Sequence, residues 1–394
     1  MGDILSQGGD RGTGPRPRWV AALAVAAVLV LATVLIVEHL PRRQPARSAP
    51  GQAAVTLIPR SAGGPDGVSG LAMPRDDNLR LPVTGEQPSW VWPATGRRQT
   101  IGGLPRDRSG YQFIRVAGGW ALQANSAGRV SCGSCAGAPL PVYFLADDAQ
   151  SVTPVGTADS VAPGAAPGTL WLTSYPAGAD MSTAAGLARE ISAAGSPAGR
   201  RLRLPAGYVI YRGTDRGLLL APAAPSGTAA YRLWTDAPRA GSRTFDGVLA
   251  ASARQIAWAT RCAPVCGVEV LDLVTGQRQV VRLPGASSAV NGAFSPDGKF
   301  LSLQLSFDNV GDDGALAMQL DVVSTASGDL AVVPAIRVSS DALVDFGWPA
   351  DGDDLVARLN FTAKLQVATW HPGARRLTVA PIRPGPESTS LIVG

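Results

Sequence analysis

A pair of tight turns, each flanked by short apolar-rich runs, recurs along this chain about every 46 residues, and no other feature restricts its fold so narrowly. The clearest copy is FSPDGKFL at 294–301. Pro296 presets φ for the first turn position, Asp297 can bond its own backbone, and Gly298 supplies positive φ. Two strands joined by a tight hairpin are therefore expected there. A degenerate copy, WPADGDDL, runs through Trp348, Asp351 and Gly352. Looser equivalents fall at Ala117-Gly118-Gly119, Thr214-Asp215-Arg216-Gly217 and Ser252-Ala253-Arg254, between runs such as YVIY and LLLA. A second turn alternates with these. Val274-Thr275-Gly276 separates VEVLDL from RQVVRL, and related turns lie near Gly96, Ala149, Gly199, Gly241, Gly328 and Gly373.

Two hairpin turns per repeat mean four strands per repeat, and seven second turns mean seven repeats, with six to eight as the bounds. A four-stranded unit of this length is too small to bury its own faces, so neighbours must stack around a ring. The expected fold is all-β, a seven-bladed β-propeller over residues 79–394, with Phe294 and Trp348 filling space between blades. Abundant glycine (46) and proline (32) without a collagen-like period suit many short strands and turns. The first repeat is incomplete. PSWVWPATGRRQTI supplies its outer strands, and its inner strands come either from residues 55–83 or from Leu391-Ile392-Val393 at the other end of the chain.

The motif FSPDGKFL resembles the repeat of TolB-type, WD40-like β-propellers of bacterial envelopes, in which an aromatic residue precedes Ser-Pro-Asp-Gly. The resemblance carries Phe294, Ser295, Pro296, Asp297 and Gly298, with Trp348, Asp351 and Gly352 in the second copy, as turn formers and packing residues rather than as a site. In that second copy Pro349-Ala350 replaces Ser295-Pro296. The resemblance implies a protein-interaction scaffold of the envelope, although a fold alone does not fix function.

Residues 19–37 carry no charge and one weakly polar residue, Thr33, and a helix of that length spans roughly 28 Å. This predicts a transmembrane helix after a cytoplasmic tail at 1–18, followed by a flexible Pro/Ala/Gly-rich tether at 38–78. A cleavable signal peptide is the competing reading. Its apolar region would be about 7 to 15 residues followed by a small-residue cleavage site, whereas here Glu38-His39-Leu40-Pro41-Arg42-Arg43 follows. Arginines flank both ends of the span equally, so orientation rests on the cysteines.

There are four cysteines: Cys132 and Cys135 in SCGSC, and Cys262 and Cys266 in RCAPVC. The repeat places the pairs three blades apart, where one tetrahedral zinc site cannot collect them. Neither pair precedes a helix-like segment that would favour a redox role. Two local disulfides are the preferred reading, which calls for an oxidising compartment and an extracytoplasmic domain. Both pairs fall between the second and third strands of a blade, as do the longer connections at 176–186, 222–228 and 308–314. Turns between first and second strands are short, so the opposite face is expected to be flat.

Net charge is +5, of which the first 47 residues supply +3, so the remaining domain is near neutral and lacks the basic stripe with stacking aromatics that nucleic-acid binding requires. His39 lies at the membrane boundary and His371 in a tight turn, and no Gly-x-Ser-x-Gly elbow occurs. No cofactor and no metal are implied. Asp308, Asp312 and Asp313 offer oxygen ligands at short spacing but lack the terminal glutamate of an EF-hand loop, so they read as a solvated candidate binding loop. The chain is expected to be a non-catalytic, membrane-anchored scaffold whose partner is another envelope protein or a wall polymer. The alternative is a carboxylate- or metal-dependent hydrolase or lyase with its site in the central channel, which clustered acids there would favour.

Overall fold

The computed structural model describes residues 79–382 except 86, 107–109, 126–135, 137, 224–229, 236–242, 261, 263–264, 308–316, 340–342, 350–353, 362–363 and 375–376. These belong to the second of two units into which the chain divides, Leu57–Gly394. The tail, the apolar span and the tether lie outside the described residues, among which no helix is long and apolar enough to cross a membrane.

Seven antiparallel sheets follow one another along the chain. The first holds β1 (Leu81–Val83), β2 (Ser89–Val91) and β3 (Arg98–Thr100); the second, β4 (Tyr111–Val116), β5 (Gly119–Ala124), β6 (Leu140–Ala146) and β7 (Thr153–Ala158). The third holds β8 (Ser160–Pro163), β9 (Thr169–Ser174), β10 (Leu187–Ser192) and β11 (Pro197–Arg203); the fourth, β12 (Tyr208–Thr214), β13 (Gly217–Pro222), β14 (Tyr231–Trp234) and β15 (Arg243–Phe245). The fifth holds β16 (Val248–Ala251), β17 (Gln255–Thr260), β18 (Cys266–Asp272) and β19 (Arg278–Leu283); the sixth, β20 (Ser288–Phe294), β21 (Phe300–Phe307), β22 (Ala317–Ser324) and β23 (Leu330–Ser339). The seventh holds β24 (Leu343–Gly347), β25 (Leu355–Phe361), β26 (Lys364–Trp370) and β27 (Thr378–Ile382). Within each sheet the strands pair in sequence order, and the first strands of neighbouring sheets lie against one another, β4 beside β8, β8 beside β12, β16 beside β20. This is the arrangement of strands around a central axis.

Side chains alternate between the two faces of each strand, so every sheet packs on both neighbours. On β13, Leu219 faces Ile256 of the fifth sheet while Leu218 and Leu220 face Trp171 of the third. Five further cores follow the same rule: Trp90 with Phe113, Phe144 with Leu172, Val268 with Leu303, Val322 with Ala357, and Val83 with Val356. The last of these joins the first sheet to the seventh and closes the ring. The fold is thus the expected seven-bladed propeller.

The repeated turns occupy their expected places, and the hydrogen bonds explain their composition. In the sixth sheet the Ser295 hydroxyl donates to Asp297 at 2.7 Å, while the Phe300 amide donates to the Ser295 oxygen at 2.9 Å and the Lys299 amide to Asp297 at 3.0 Å. The donors clustered there hold the Asp297 carboxyl down at about 2, against the cost of partial desolvation, and Gly298 takes φ +73°. Ser295 is almost fully buried, a constraint that the sequence does not announce. Trp348 sits between the sixth and seventh sheets, its indole N–H donating to Ala293 O and to the Ser302 hydroxyl, both at 3.1 Å, and its ring stacked on Phe300. Phe294 packs on the core between the fifth and sixth sheets. Asp351 and Gly352 lie outside the described residues.

Two expectations need correction. In the third sheet the second turn lies at 193–196 with Gly195 at φ +79°, because the chain reverses where the Ser192 amide bonds Ser196 O; Gly199 lies inside β11, in a bulge. The face carrying the first-to-second turns is also not flat throughout. The β8–β9 connection runs over 164–168 and the β14–β15 connection over 235–242. Of the two sources considered for the inner part of the first sheet, β1 comes from the N-terminal one, and 391–393 lies outside the described residues.

Interface side chains should dominate stability. Leu303, fully buried between the fifth and sixth sheets, is expected to cost about 2–5 kcal/mol on replacement by alanine. Val280, 59% exposed on the outer strand of the fifth sheet, should cost less than about 0.5 kcal/mol. Denaturant titration of L303A and V280A measures both.

Candidate functional site

Three regions compete for a site: the central axis, the face of long connections, and the opposite face. Around the axis the innermost strands range from the small, apolar VLAA of β16 and SVAP of β8 to YQFIRV on β4 and YVIYRGT on β12, which carry Arg115 and Arg212. Their one carboxylate among the described residues is Asp345 on β24, placed directly opposite Arg358 of β25. Burial lowers the Arg358 pKa and the Asp345 charge raises it, so the two stabilise one another as ions. Among the described residues no group of three or more metal-ligating side chains occurs.

The face of long connections carries one described staple. Cys262 and Cys266 form a disulfide across the β17–β18 connection, and Cys266 is buried in the core between the fifth and sixth sheets. Cys132 and Cys135 lie outside the described residues, in the β5–β6 connection, which is the equivalent place three sheets away. Asp308, Asp312 and Asp313 also lie outside the described residues, within the β21–β22 connection. The connection between β9 and β10 is ordered by its own bonds: the Ser182 amide and hydroxyl both donate to Asp180. Beside it the Tyr175 hydroxyl donates to Tyr208 O at 3.2 Å, and burial, with the Asp159 charge adding to it, pushes the phenol up to about 12.

On the opposite face a cavity of about 530 Å³ opens between the third and fourth sheets, lined by Trp171, Glu190, Arg200, Thr214, Asp215 and Trp234 among others. Ala165 and Ala166 of the β8–β9 connection, and Thr235 just after β14, also line it. The β12–β13 turn forms one wall. Thr214 donates to Gly217 O at 2.9 Å, and Arg216 reaches away to Leu273 O and Val274 O of the fifth sheet at 2.8 and 2.9 Å. Glu190 forms the other wall; burial raises its pKa, and Arg200 pulls the other way. Gly213 admits the close approach, since a Cβ there would meet Ala165 N at 2.8 Å and Trp171 Nε1 at 3.0 Å. Sequence reading missed this cavity because its charged residues come from two repeats, and no motif joins them. His371, in the β26–β27 turn, is exposed and bonds Asp354 of the β24–β25 connection at 2.8 Å.

No family model matches this chain, and no curated protein matches it. Solved structures do. A chain from a structural and mechanistic analysis of two prolyl endopeptidases aligns with 84% of this chain at 12% identity and a TM-score of 0.53. That alignment takes in 53% of the endopeptidase chain, so this protein spans about half its length. TolB from Acinetobacter baumannii aligns with 83% of this chain and 69% of its own at 10% identity, TM-score 0.42. A Lactobacillus plantarum protein aligns with 80% of this chain and all of its own at 11% identity, TM-score 0.43. At these identities the likeness is one of fold.

Peptide mapping without reductant should recover Cys262 linked to Cys266. Because the loop it closes is short, replacing both by serine is expected to cost about 2 kcal/mol, read by denaturant titration.

Proposed function

We propose that this chain is a non-catalytic binding scaffold of the cell envelope, anchored by residues 19–37 with the propeller outside the cytoplasm, whose partner is another envelope protein or a wall polymer. The observation that carries the reading is the composition of the axis. A glycosidase needs two carboxylates flanking its bond, and a metallohydrolase needs converging ligands; among the described residues the innermost strands offer Asp345, compensated by Arg358. Rigid sheets presenting irregular connections suit recognition, because the ordering cost of binding falls on few residues. The Cys262–Cys266 link lowers that cost further on the face of long connections, and we place a protein partner there.

In vivo crosslinking of the membrane-bound protein, with identification of what is trapped, tests the reading. Protease added to intact, wall-stripped cells should digest the chain beyond Pro41; cleavage only after the membrane is broken would overturn the orientation. Replacing 308–314 by a two-residue turn should abolish partner capture, whereas Asp215→Ala with Trp234→Ala on the opposite face should not; the reverse result puts the partner on the wrong face. His371→Ala is expected to change stability by less than about 0.5 kcal/mol and leave the cellular phenotype intact. Loss of phenotype at normal protein level would restore an enzymatic role.

A further inference from the structure

The outer edge of the third sheet carries more positive charge than a sheet edge needs. Charged residues commonly protect an edge strand from pairing with other chains, and single arginines would suffice for that. Here β11 reads PAGRRLR, and Arg200, Arg201 and Arg203 are all exposed, as is Arg189 on the neighbouring β10. The register puts Arg189 and Arg201 directly opposite each other, where like charges destabilise a sheet. Among the described residues none of Arg200, Arg201 and Arg203 forms an ion pair.

The backbone is shaped around these side chains. Between the pairs Arg189–Arg201 and Ile191–Pro197, β11 bulges away from β10, with Gly199 at φ +106° and open space where its Cβ would be. Bulges redirect side chains. Here the bulge opens a cleft of about 100 Å³ lined by Arg189, Arg200, Arg201 and one carboxylate, Glu190, whose charge Arg200 offsets, with Gly195 beside them and Val155 of β7 across from it in the second sheet. The Arg189 guanidinium is held in this groove by Thr157 O at 3.3 Å and lies over Gly156, where a Cβ would come within 2.9 Å of it. Arg203 follows Arg201 on the same face of the strand, roughly 7 Å further along.

We propose that this groove binds a phosphodiester polymer without aromatic bases, one phosphate in the bulge cleft between Arg189 and Arg201 and the next at Arg203, while Arg200 offsets the charge of Glu190. Guanidinium forks match phosphate oxygens, and a bound anion removes the repulsion between Arg189 and Arg201. The cleft walls are Val155, Ile191 and Pro197, with no aromatic face on which a base would stack, which argues against nucleic acid. A recessed cleft between two sheets favours a narrow chain over a flat bilayer. The proposal rests on the binding reading above and names a wall polymer as one ligand class.

The test uses the full chain in micelles of uncharged detergent, titrated calorimetrically with a synthetic glycerol-phosphate oligomer. Binding is expected, falling by at least tenfold in Arg201→Ala/Arg203→Ala and in Arg189→Ala, and falling steeply between about 50 and 200 mM salt. Arg278→Ala, on the outer strand of the fifth sheet, should bind like the parent. Thermal melting separates binding from folding: Arg201→Ala removes a like-charge pair, so its melting temperature should hold or rise while affinity drops. Parent-like affinity in the arginine variants would overturn the proposal. So would equal binding of uncharged dextran, or capture by lipid nanodiscs containing anionic phospholipid without any binding of the oligomer. If these fail while crosslinking still traps an envelope protein, the scaffold reading stands and only the polymer site falls.

Discussion

Everything in this fold depends on each sheet finding an apolar partner on both of its faces. A four-stranded sheet in isolation leaves two surfaces in water, and its hydrogen bonds contribute too little net free energy to compensate. Stacking seven sheets in a ring gives each one two neighbours, and the closing contact of Val83 and Val91 with Val356 and Val367 spares the first and last sheets an exposed face. Alternation along β13 illustrates the economy: three successive leucines are buried, two against one neighbour and one against the other. The strand therefore reads as a continuous apolar run although every residue in it obeys period two.

Tightness at the interfaces is set by turn chemistry as much as by side-chain volume. The Ser295–Asp297 turn satisfies its own amides, which lets it be driven against the fifth sheet without leaving donors unpaired. There a Cβ at Gly298 would come within 2.8 Å of the Gln255 side chain. Arg216 does the same service between the fourth and fifth sheets by satisfying two carbonyls of a neighbouring turn. At the start of the ring, Arg80 stacks on Trp90 at 4.4 Å, Arg97 stacks on Trp92 at 3.8 Å, and Arg115 forks onto Asp147. In a chain so poor in lysine, guanidinium groups serve as flat packing elements that also carry charge.

Much of this was legible in the chain itself. Pro296-Asp297-Gly298 announces a hairpin because each residue fixes a different backbone requirement, and repetition of such turns fixes blade count. The pairing of Cys262 with Cys266 was legible from proximity alone. What was not legible has a common cause. Glu190, Arg200, Asp215 and Trp234 line one cavity only because the third sheet packs on the fourth, and packing between repeats leaves no periodic trace. Trp348 could be assigned to an interface, but its hydrogen bond to buried Ser302 depends on a neighbouring repeat. Gly199 looked like a turn glycine and is a bulge glycine; both conformations need positive φ, so composition could not separate them.

Bulges explain how nearly equivalent sheets acquire different surfaces. The pairing of the first strand with the second slips by one residue in four consecutive sheets, between Ile210 and Arg212, Val248 and Ala250, Ala289 and Asn291, and Leu343 and Asp345. Each slip lies on an innermost strand, and a bulge there redirects the side chains beside it. In the fourth sheet the slip falls at Tyr211, which meets Tyr231 of the same sheet edge-on at 5.4 Å. In the fifth it falls at Leu249, buried with Ala250 against the sixth sheet. Bulges also lie on the outermost strands β7, β11 and β23, and the one in β11 differs from the other two in setting two arginines face to face. At the rim of the third sheet Arg200 offsets Glu190, whereas Arg189 and Arg201 face one another and repel. What sets the β11 bulge apart is the facing pair Arg189 and Arg201, which internal packing does not account for and an external anion would.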